Sequence, residues 1–456
     1  MKKIGMFKAM SLCSGYGKLS AEEREKLRGE RLRETVAYAR AHSPYYQELY
    51  RGVGEDFTLG QLPPTSKREL MSHWDEWVTD RGIKLSDVTE FMKNPDNIGR
   101  KLHKKYMVFT TSGSTGEPLV MLCDDRTNSV MGGVNAIRSF ARREDMSAFI
   151  RRGAKTIGVF ADSGFYLGNS SVRSRLLKTP WKKRQMAVTS ALLPISRIVE
   201  QLNEFQPAML GGYPSNLELL IDEQLSGRLH ISPVLIMSGG EYLSDALRRR
   251  LAEAFGCYVQ TSYSCTEGGT IACECREQHY HINDDWLIVE PVDKDNNPVA
   301  DGQLSDKLLL TNLFNLTQPF IRYEITDRVI RHSEPCACGN PSPWLELEGR
   351  TDDVVSFPKA DGSGRVSVPP LALYAVLKEV HELRRFQLLV HPDDRAELRL
   401  VPDDGVTAQD AFDKARVALL DYLRSCDAAE VPVTLPDEQP RQDAGSGKFK
   451  HIIRVK

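Results

Sequence analysis

A loop of glycine and small hydroxylated residues is the strongest chemical signal in the sequence. It follows a short apolar run at residues 107–109 and consists of Thr111, Ser112, Gly113, Ser114, Thr115 and Gly116. Backbone N–H groups and hydroxyls in such a loop can converge on phosphate oxygens. The loop is not a Walker loop, because no Lys-Ser or Lys-Thr pair follows its last glycine. An exposed turn is the alternative for such a loop taken alone.

Two groups of cysteine and histidine have the spacing of metal ligands. Cys275 and His281 form one pair, and Cys336 and Cys338 form the other. Three sulfurs and one imidazole make a closed tetrahedral set, which is the pattern of structural zinc. Three alternatives stay open: Cys273 in place of Cys275, His279 in place of His281, or reduced thiols without metal.

The elements that would position these groups follow from capping residues and from periodicity. Ser20 and Glu23 form a capping box for a helix that should end before Ser43, which precedes a proline. Ser244 and Gly256 bracket a second amphipathic helix. Buried strands are expected at residues 156–160, 234–237, 308–311 and 320–323.

The alternation of strands and helices from about residue 105 predicts parallel sheets with crossover helices. The composition shifts at residues 349–353, and a small α+β pattern follows. The expected fold is therefore α/β. We expect a large N-terminal domain of parallel and mixed sheets with helices at residues 1–350, and a small mobile α+β lid domain at residues 351–456.

Composition and charge exclude several classes of protein. The 456 residues are 41% hydrophobic and 27% charged, as in an ordinary globular protein. The net charge of −2 gives no bulk electrostatic reason to expect a nucleic-acid or membrane partner. No apolar run reaches the ~18 residues of a spanning helix. Lys8 and Gly15 interrupt the N-terminal apolar stretch, so no signal peptide is expected. Nine cysteines argue against a secreted disulfide framework, and the expected location is the cytoplasm.

Five segments occur in the order found in adenylate-forming enzymes. They are the 111–116 loop, Tyr263-Ser264-Cys265-Thr266-Glu267, the segment 322–327 that ends in Asp327, Gly349-Arg350-Thr351-Asp352, and Gly447-Lys448. The chain therefore resembles this superfamily, which contains acyl-CoA synthetases, nonribosomal-peptide adenylation domains and luciferases. The segments 210–215 and 238–241 make it most similar to phenylacetate–CoA ligase and its capsule-biosynthesis relatives. Some proteins of that branch carry zinc at similar spacing.

The resemblance implies a role for each matching residue. The 111–116 loop would hold the β- and γ-phosphates of ATP. Ser238, Gly239, Gly240 and Glu241 would lie along the adenine of ATP or AMP, and Tyr263 would stack on it beside Ser264. Thr266 would contact the α-phosphate, and Glu267 would bind Mg²⁺. Asp327 would bind the ribose hydroxyls, with Arg350 nearby.

Lys448 is the expected catalytic lysine. Attack of a carboxylate on the α-phosphate brings two anions together, so the transition state needs positive charge. A lysine on a glycine-hinged loop of a mobile lid can supply it on closure. The alternative is a solubilising tail lysine, like Lys450 and Lys456.

The expected activity is ATP-dependent activation of an aryl or small acyl carboxylic acid, followed by transfer to coenzyme A. Relatives carry a short glycine-containing turn after the position of Asp352, whereas this chain has a longer segment at residues 354–365. A carrier-protein thiol or an amine is therefore the alternative acceptor, and a non-catalytic nucleotide-binding role is a second alternative. Tyr213, Phe165 and Tyr166 are candidate walls of the acid pocket. A homodimer is left open.

Overall fold

The computed structural model describes residues 3–111, 118–160, 164–350, 355–368, 370–443 and 448–455. These residues form two compact units. The larger takes in the described residues of Met1–Ile325 and Ile330–Glu346. The smaller takes in those of Thr326–Val329, Leu347–Asp443 and Lys448–Lys456. The functional boundary predicted after residue 350 stays a prediction.

The helices begin at capping residues in several of the predicted places. Ser20 Oγ accepts a hydrogen bond from Glu23 N at 3.1 Å, and the long helix that follows ends just before Ser43, as predicted. The helix bounds are α1 (Met6–Tyr16), α2 (Ala21–His42), α3 (Pro44–Leu49), α4 (Lys67–Ser72), α5 (Trp74–Trp77), α6 (Leu85–Met92), α7 (Asp125–Arg138), α8 (Arg143–Arg151), α9 (Leu167–Lys178), α10 (Ile195–Phe205), α11 (Pro214–Leu225), α12 (Asp245–Phe255), α13 (Pro370–Lys378) and α14 (Ala408–Ser425).

The strands alternate with helices through the middle of the chain and then follow one another directly. Their bounds are β1 (Lys101–Leu102), β2 (Tyr106–Thr110), β3 (Val120–Cys123), β4 (Thr156–Phe160), β5 (Met186–Ser190), β6 (Met209–Gly212), β7 (Leu235–Ser238), β8 (Tyr258–Cys265), β9 (Gly269–Glu274), β10 (Tyr280–Ile282), β11 (Leu287–Val292), β12 (Lys307–Asn312), β13 (Tyr323–Ile325), β14 (Asp327–His332), β15 (Trp344–Arg350), β16 (Val355–Pro358), β17 (Arg365–Val368), β18 (Leu383–Val390), β19 (Ala396–Pro402), β20 (Val433–Thr434) and β21 (Ile452–Arg454).

A nine-stranded sheet positions most of the predicted site. Its strand order is β14-β15-β10-β9-β8-β7-β6-β4-β5, and the neighbours from β5 to β8 are parallel. The register pairs Phe160 with Ser190 and Gly212 with Ser238, so the carboxyl ends of these strands meet at one edge. From β8 onward the pairing of β9, β10 and β15 is antiparallel. The mixed α/β fold predicted from the alternating elements is confirmed.

Smaller sheets complete the two units. In the larger unit β1-β2-β3 and β11-β12-β13 form antiparallel sheets. In the smaller unit β16 and β17 form a hairpin, and β20-β19-β18-β21 form a sheet backed by α13 and α14. No described helix is long and apolar enough to cross a bilayer.

The prediction of a strand at residues 320–323 is wrong for all of these residues except Tyr323. Regular pairing begins only at Tyr323, because Arg322 has a positive φ of 48° that breaks the extended backbone. Arg322 N donates to Thr311 Oγ1 at 3.0 Å, and its buried guanidinium lies 3.2 Å from Glu290. These contacts hold the left-handed residue in place.

Candidate functional site

A tight turn at the carboxyl edge of the sheet carries the predicted adenine-binding segment. Ser238 is the last residue of β7, and its hydroxyl is buried without a hydrogen-bond partner among the described residues. Gly239 N donates to Gly212 O at 3.2 Å, which ties the turn to the end of β6. Gly240 has a φ of 80°, a conformation that favours glycine.

Glu241 joins this turn to the start of α11. Its carboxylate accepts hydrogen bonds from Ser215 N at 3.0 Å and from Ser215 Oγ at 3.1 Å. A carboxylate is stabilised at a helix N-terminus by the unpaired N–H groups and by the helix dipole. Glu241 therefore fixes the relative position of the turns at 213–215 and 238–241. Its predicted place along the adenine stays a prediction.

Glu267 is held from two sides. The residue is 8% exposed, and Oε1 of its carboxylate accepts a hydrogen bond from the Tyr323 hydroxyl at 3.0 Å. Asn312 Nδ2 donates to Glu267 O at 2.8 Å. Burial and the neighbouring carboxylate raise the pKa of Tyr323 well above its usual value, so the hydroxyl stays a donor. Within the described residues, Oε2 of Glu267 makes no hydrogen bond.

The β8–β9 hairpin presents the neighbouring predicted residues. The pairing register shifts between Tyr263 and Ser264, and such an irregularity redirects side chains. Tyr263 is buried, whereas Ser264 is exposed and Thr266 is partly exposed. Gly269 closes the hairpin with a φ of 65°. Tyr263, Thr266 and Glu267 thus lie along one short stretch beside β7 and β12.

The remaining nucleotide residues are spread over both units. Thr111 N donates to Leu119 O at 3.1 Å, and Thr111 Oγ1 accepts from Leu119 N at 2.9 Å. The predicted residues Ser112, Gly113, Ser114, Thr115 and Gly116 lie outside the described residues, as does Asp352.

Three further predicted residues belong to the smaller unit. Asp327 begins β14 and Arg350 ends β15. Lys448 O accepts a hydrogen bond from Asp443 N at 2.8 Å.

Aromatic side chains cover the sheet near its carboxyl edge. Tyr213 is buried and meets Phe160 edge to face at 5.2 Å between ring centroids. The Phe160 ring lies over Gly158, where an added Cβ would come within 2.6 Å of it. Phe165 packs on Phe91 at 6.0 Å. Phe160 is not among the predicted site residues, although its alternation with Gly158 in a buried strand indicates that its ring has space over the sheet.

The four predicted metal ligands come together in the larger unit. The ligand atoms of Cys275, His281, Cys336 and Cys338 all lie within 4.8 Å of one another. Cys275 Sγ lies 3.9 Å from Cys336 Sγ, and His281 Nε2 lies 3.3 Å from Cys338 Sγ. Pairing of β10 with β15 sets this arrangement, since His281 lies opposite Trp344.

The surrounding hydrogen bonds suit a metal centre. His281 Nδ1 lies 2.7 Å from Ser342 O, which favours a proton on Nδ1 and leaves Nε2 as the donor atom. Cys338 N donates to Cys336 Sγ at 3.5 Å, and Asn340 N donates to Cys338 Sγ at 3.3 Å. Burial raises the pKa of the Cys338 thiol, and a bound cation would favour its thiolate.

The geometry also separates the alternative ligands. Cys273 Sγ lies 3.8 Å from Asn283 Nδ2 and is outside the cluster of four. His279 Nδ1 lies 3.3 Å from Cys336 Sγ, next to the cluster. Its ring stacks on Trp344 at 3.8 Å, and His332 stacks on Trp344 at 3.9 Å. This aromatic stack joins three residues that have no recognisable pattern in the sequence.

Buried charges anchor the segment that follows His281. Arg138 donates to both oxygens of Asp285, at 2.8 and 2.9 Å, and to Asn283 Oδ1 at 2.7 Å. Arg31 lies 3.5 Å above the centre of the Trp286 ring. Helices α2 and α7 therefore support the strand pair that carries the cysteine–histidine cluster.

Comparison with known proteins identifies relatives over most of the chain. Phenylacetate-coenzyme A ligase of Thermus thermophilus is 24% identical and covers 95% of this chain and 97% of that protein. Protein CapK of Staphylococcus aureus is 23% identical and covers 68% of this chain and 63% of that protein. No family model matches the chain.

The solved structures show the same fold. A 2-hydroxyisobutyryl-CoA ligase in complex with its acyl-adenylate has a TM-score of 0.69 at 19% identity, over 96% of this chain and 90% of that one. In sequence and in fold the chain is therefore similar to adenylate-forming enzymes over most of its length.

Proposed function

We propose that this protein uses ATP to activate a carboxylic acid as an acyl-adenylate and then transfers the acyl group to the thiol of coenzyme A. One observation supports this most directly: Glu267 is buried, held by Tyr323 and Asn312, and set on the hairpin that also carries Tyr263 and Thr266. The relative from Thermus thermophilus is a phenylacetate–coenzyme A ligase, and a related ligase has been solved with its acyl-adenylate and coenzyme A.

The adenylation step needs an electrophilic phosphorus and a stabilised leaving group. A carboxylate oxygen of the substrate attacks the α-phosphorus of ATP, and the bond to the bridging oxygen breaks to release pyrophosphate. Thr266 would bind the α-phosphate, Tyr263 and residues 238–241 would bind the adenine, and Asp327 with Arg350 would bind the ribose. Lys448 would stabilise charge on the bridging oxygen.

Glu267 is suited to hold Mg²⁺. Magnesium prefers carboxylate and phosphate oxygens, and the free Oε2 of Glu267 offers one. Bound Mg²⁺ would neutralise charge on the phosphates. The Tyr323 hydroxyl orients the carboxylate for this task.

In the transfer step, a thiol sulfur attacks the acyl carbonyl carbon and AMP leaves with the former carboxylate oxygen. Coenzyme A is the proposed acceptor. The β16–β17 hairpin favours a second candidate, a carrier-protein thiol or an amine, because it occupies the sequence position where relatives have a short turn. Arg365 on this hairpin pairs with Asp394, so the hairpin is fixed to the β18–β19 turn.

We further propose that the Cys275–His281–Cys336–Cys338 cluster holds one structural Zn²⁺. Three sulfurs and one imidazole satisfy four-coordinate zinc and leave no position for substrate. The metal would hold residues 275–281 against residues 336–338. All nine cysteines are free of disulfides, which is consistent with the cytoplasm as the proposed location.

Exchange of pyrophosphate into ATP, with a panel of aryl, alkyl and amino acids, tests the proposal. We expect exchange with one class of acid and without a thiol, and thioester formation when coenzyme A is added. Lys448→Ala should abolish exchange and retain ATP binding, whereas Lys450→Ala is the matched control and should behave like the parent protein. Equal activity of the two variants would contradict the assignment of Lys448.

Exchange without thioester formation would favour the carrier-protein or amine acceptor. No exchange with any acid, in protein that binds ATP, would contradict the enzymatic proposal.

A further inference from the structure

A strongly basic surface lies outside the proposed site. The twelve residues 173–184 include six Lys or Arg residues, and residues 164–199 contain no Asp or Glu. We call residues 173–184 the basic face. These residues comprise the second half of α9 and the 3₁₀ turn Pro180–Arg184. Lys178, Lys183 and Arg184 are exposed and form no ion pair with another described residue.

The basic face lies at the opposite edge of the nine-stranded sheet from the turn at residues 238–241. Helix α9 follows β4 and leads to the start of β5, and these two strands are parallel. Because such a crossover returns the chain to the amino edge, Lys178 and the 3₁₀ turn lie near the beginning of β5. The turn at residues 238–241 follows the carboxyl end of β7. A partner on the basic face would therefore leave that turn accessible.

Two large apolar side chains project from the same surface. Trp181 is 73% exposed and Leu177 is 52% exposed. Between α9 and residues 96–100 is an open groove of ≈ 410 Å³, lined by the cationic side chains Arg100, Arg173 and Lys183 and by Leu176 and Leu177. Asp96 is the acidic residue in the lining. The groove thus combines positive charge with an apolar wall.

We propose that the basic face attaches the protein reversibly to the surface of an anionic phospholipid bilayer. Lipid phosphates would meet the lysine and arginine side chains, while Trp181 and Leu177 would enter the headgroup region, where amphipathic rings are favoured. The net charge of −2 does not oppose this attachment, because within a Debye length of roughly 8 Å the local charge dominates.

A bilayer explains this surface better than an acidic protein does. Lys178, Lys183 and Arg184 form no ion pair with another described residue, and such cations suit a surface of uniform negative charge, which requires no matched geometry. An exposed tryptophan beside them suits an interface that is apolar on one side and wet on the other.

Vesicle co-sedimentation tests the proposal with the full chain. We expect binding to vesicles of phosphatidylcholine with phosphatidylserine, weak binding to phosphatidylcholine alone, and release by high salt. The triple variant Lys178→Gln, Lys183→Gln and Arg184→Gln should weaken binding about a hundredfold, since each basic residue near such a surface contributes roughly a fivefold factor. The matched control replaces the exposed Lys8, Lys18 and Lys26 with Gln and should bind like the parent protein.

Trp181 is also an internal reporter, since Trp74, Trp77, Trp286 and Trp344 are all buried. Lipids brominated near the headgroup should quench the tryptophan fluorescence of the parent protein. The fluorescence of the Trp181→Phe variant should stay largely unquenched. Absence of vesicle binding at low salt would overturn the proposal. An equal loss of vesicle binding in the control variant of Lys8, Lys18 and Lys26 would also overturn it. Binding of an acidic protein by this face without any binding of vesicles would overturn it as well. Pyrophosphate exchange should be the same in all these variants, which separates this test from that of the proposed activity.

Discussion

The pair of Tyr323 and Glu267 shows how single residues prepare the proposed site. Glu267 needs both an ionised carboxylate and a fixed direction to bind a metal ion. Tyr323 supplies the direction, because its hydroxyl donates at 3.0 Å to one oxygen and leaves the other available. The motif that contains Glu267 is recognisable in the sequence, whereas the sequence does not predict Tyr323 as the residue that orients the Glu267 carboxylate.

We expect Tyr323→Phe to reduce the rate of pyrophosphate exchange about tenfold, because a hydrogen bond to a charged group is worth roughly 1.5 kcal/mol. The Mg²⁺ concentration for half-maximal exchange should rise as well. Tyr16→Phe is the matched control, since the Tyr16 hydroxyl donates at 3.0 Å to the carboxylate of Asp284 in a buried pair elsewhere. An equal loss in both variants would indicate a general effect on folding.

Local sequence signals predict helix ends but not the partners of buried charges. Ser20 with Glu23, and Ser244 with Gly256, marked helix ends correctly because capping depends on neighbours only a few positions away. Arg31 is buried on the inner side of α2, which an apolar periodicity does not predict. Its stabilising partner, Trp286, is distant in sequence and becomes adjacent only in the fold.

At the scale of elements, the cysteine–histidine cluster depends on the pairing of β10 with β15. Ligand types and spacings suggested the set, but Cys275 and Cys336 are 61 positions apart, so only the sheet could bring them together. The Trp344 stack and the Ser342 carbonyl complete the surroundings, and neither has a recognisable sequence pattern.

We expect protein purified without added metal salts to contain about one zinc per chain, as one closed four-ligand site requires. Cys338→Ser should remove most of the metal and lower the thermal midpoint. Cys273→Ser is the matched control, because Cys273 lies on the adjoining strand but outside the cluster, and it should retain the metal. Full metal content in Cys338→Ser, measured by elemental analysis, would contradict the ligand assignment.

At the scale of the whole molecule, each compact unit has its own apolar core. One core packs helices α10–α12 on the parallel strands, and the other packs α13 and α14 on the β18–β19 sheet. Separate cores are expected to unfold in separate transitions. The shift in composition near residue 350 predicts a domain boundary there, and that boundary stays a prediction. The return of residues 330–346 to the larger unit has no local sequence signal, since it depends on pairing with β10.

Acid should destabilise the smaller unit through His451. Burial lowers the pKa of His451 to about 4, from an ordinary value near 6.5, and its ring packs on Phe386 and Phe449. As the pH falls from 6.5 to 4, His451 is protonated in the unfolded state but stays neutral in the folded state. The free energy of unfolding therefore drops, by about 3 kcal/mol at most.

Scanning calorimetry should show this loss in the transition of the smaller unit. His451→Gln should flatten the pH dependence, whereas the exposed His381→Gln is the control and should retain it. A pH dependence that is the same in His451→Gln and in the parent protein would contradict this role.

The position of the cysteine–histidine cluster along the chain has a consequence for the unfolded state. Cys275 follows β9 and His281 lies in β10, whereas Cys336 and Cys338 lie in the connection between β14 and β15. All four residues belong to the larger unit. The proposed zinc would therefore cross-link two segments that are about sixty positions apart and close a long loop, which is costly in chain entropy when the metal is absent. Loss of the metal would then release this cross-link and favour unfolding of the larger unit.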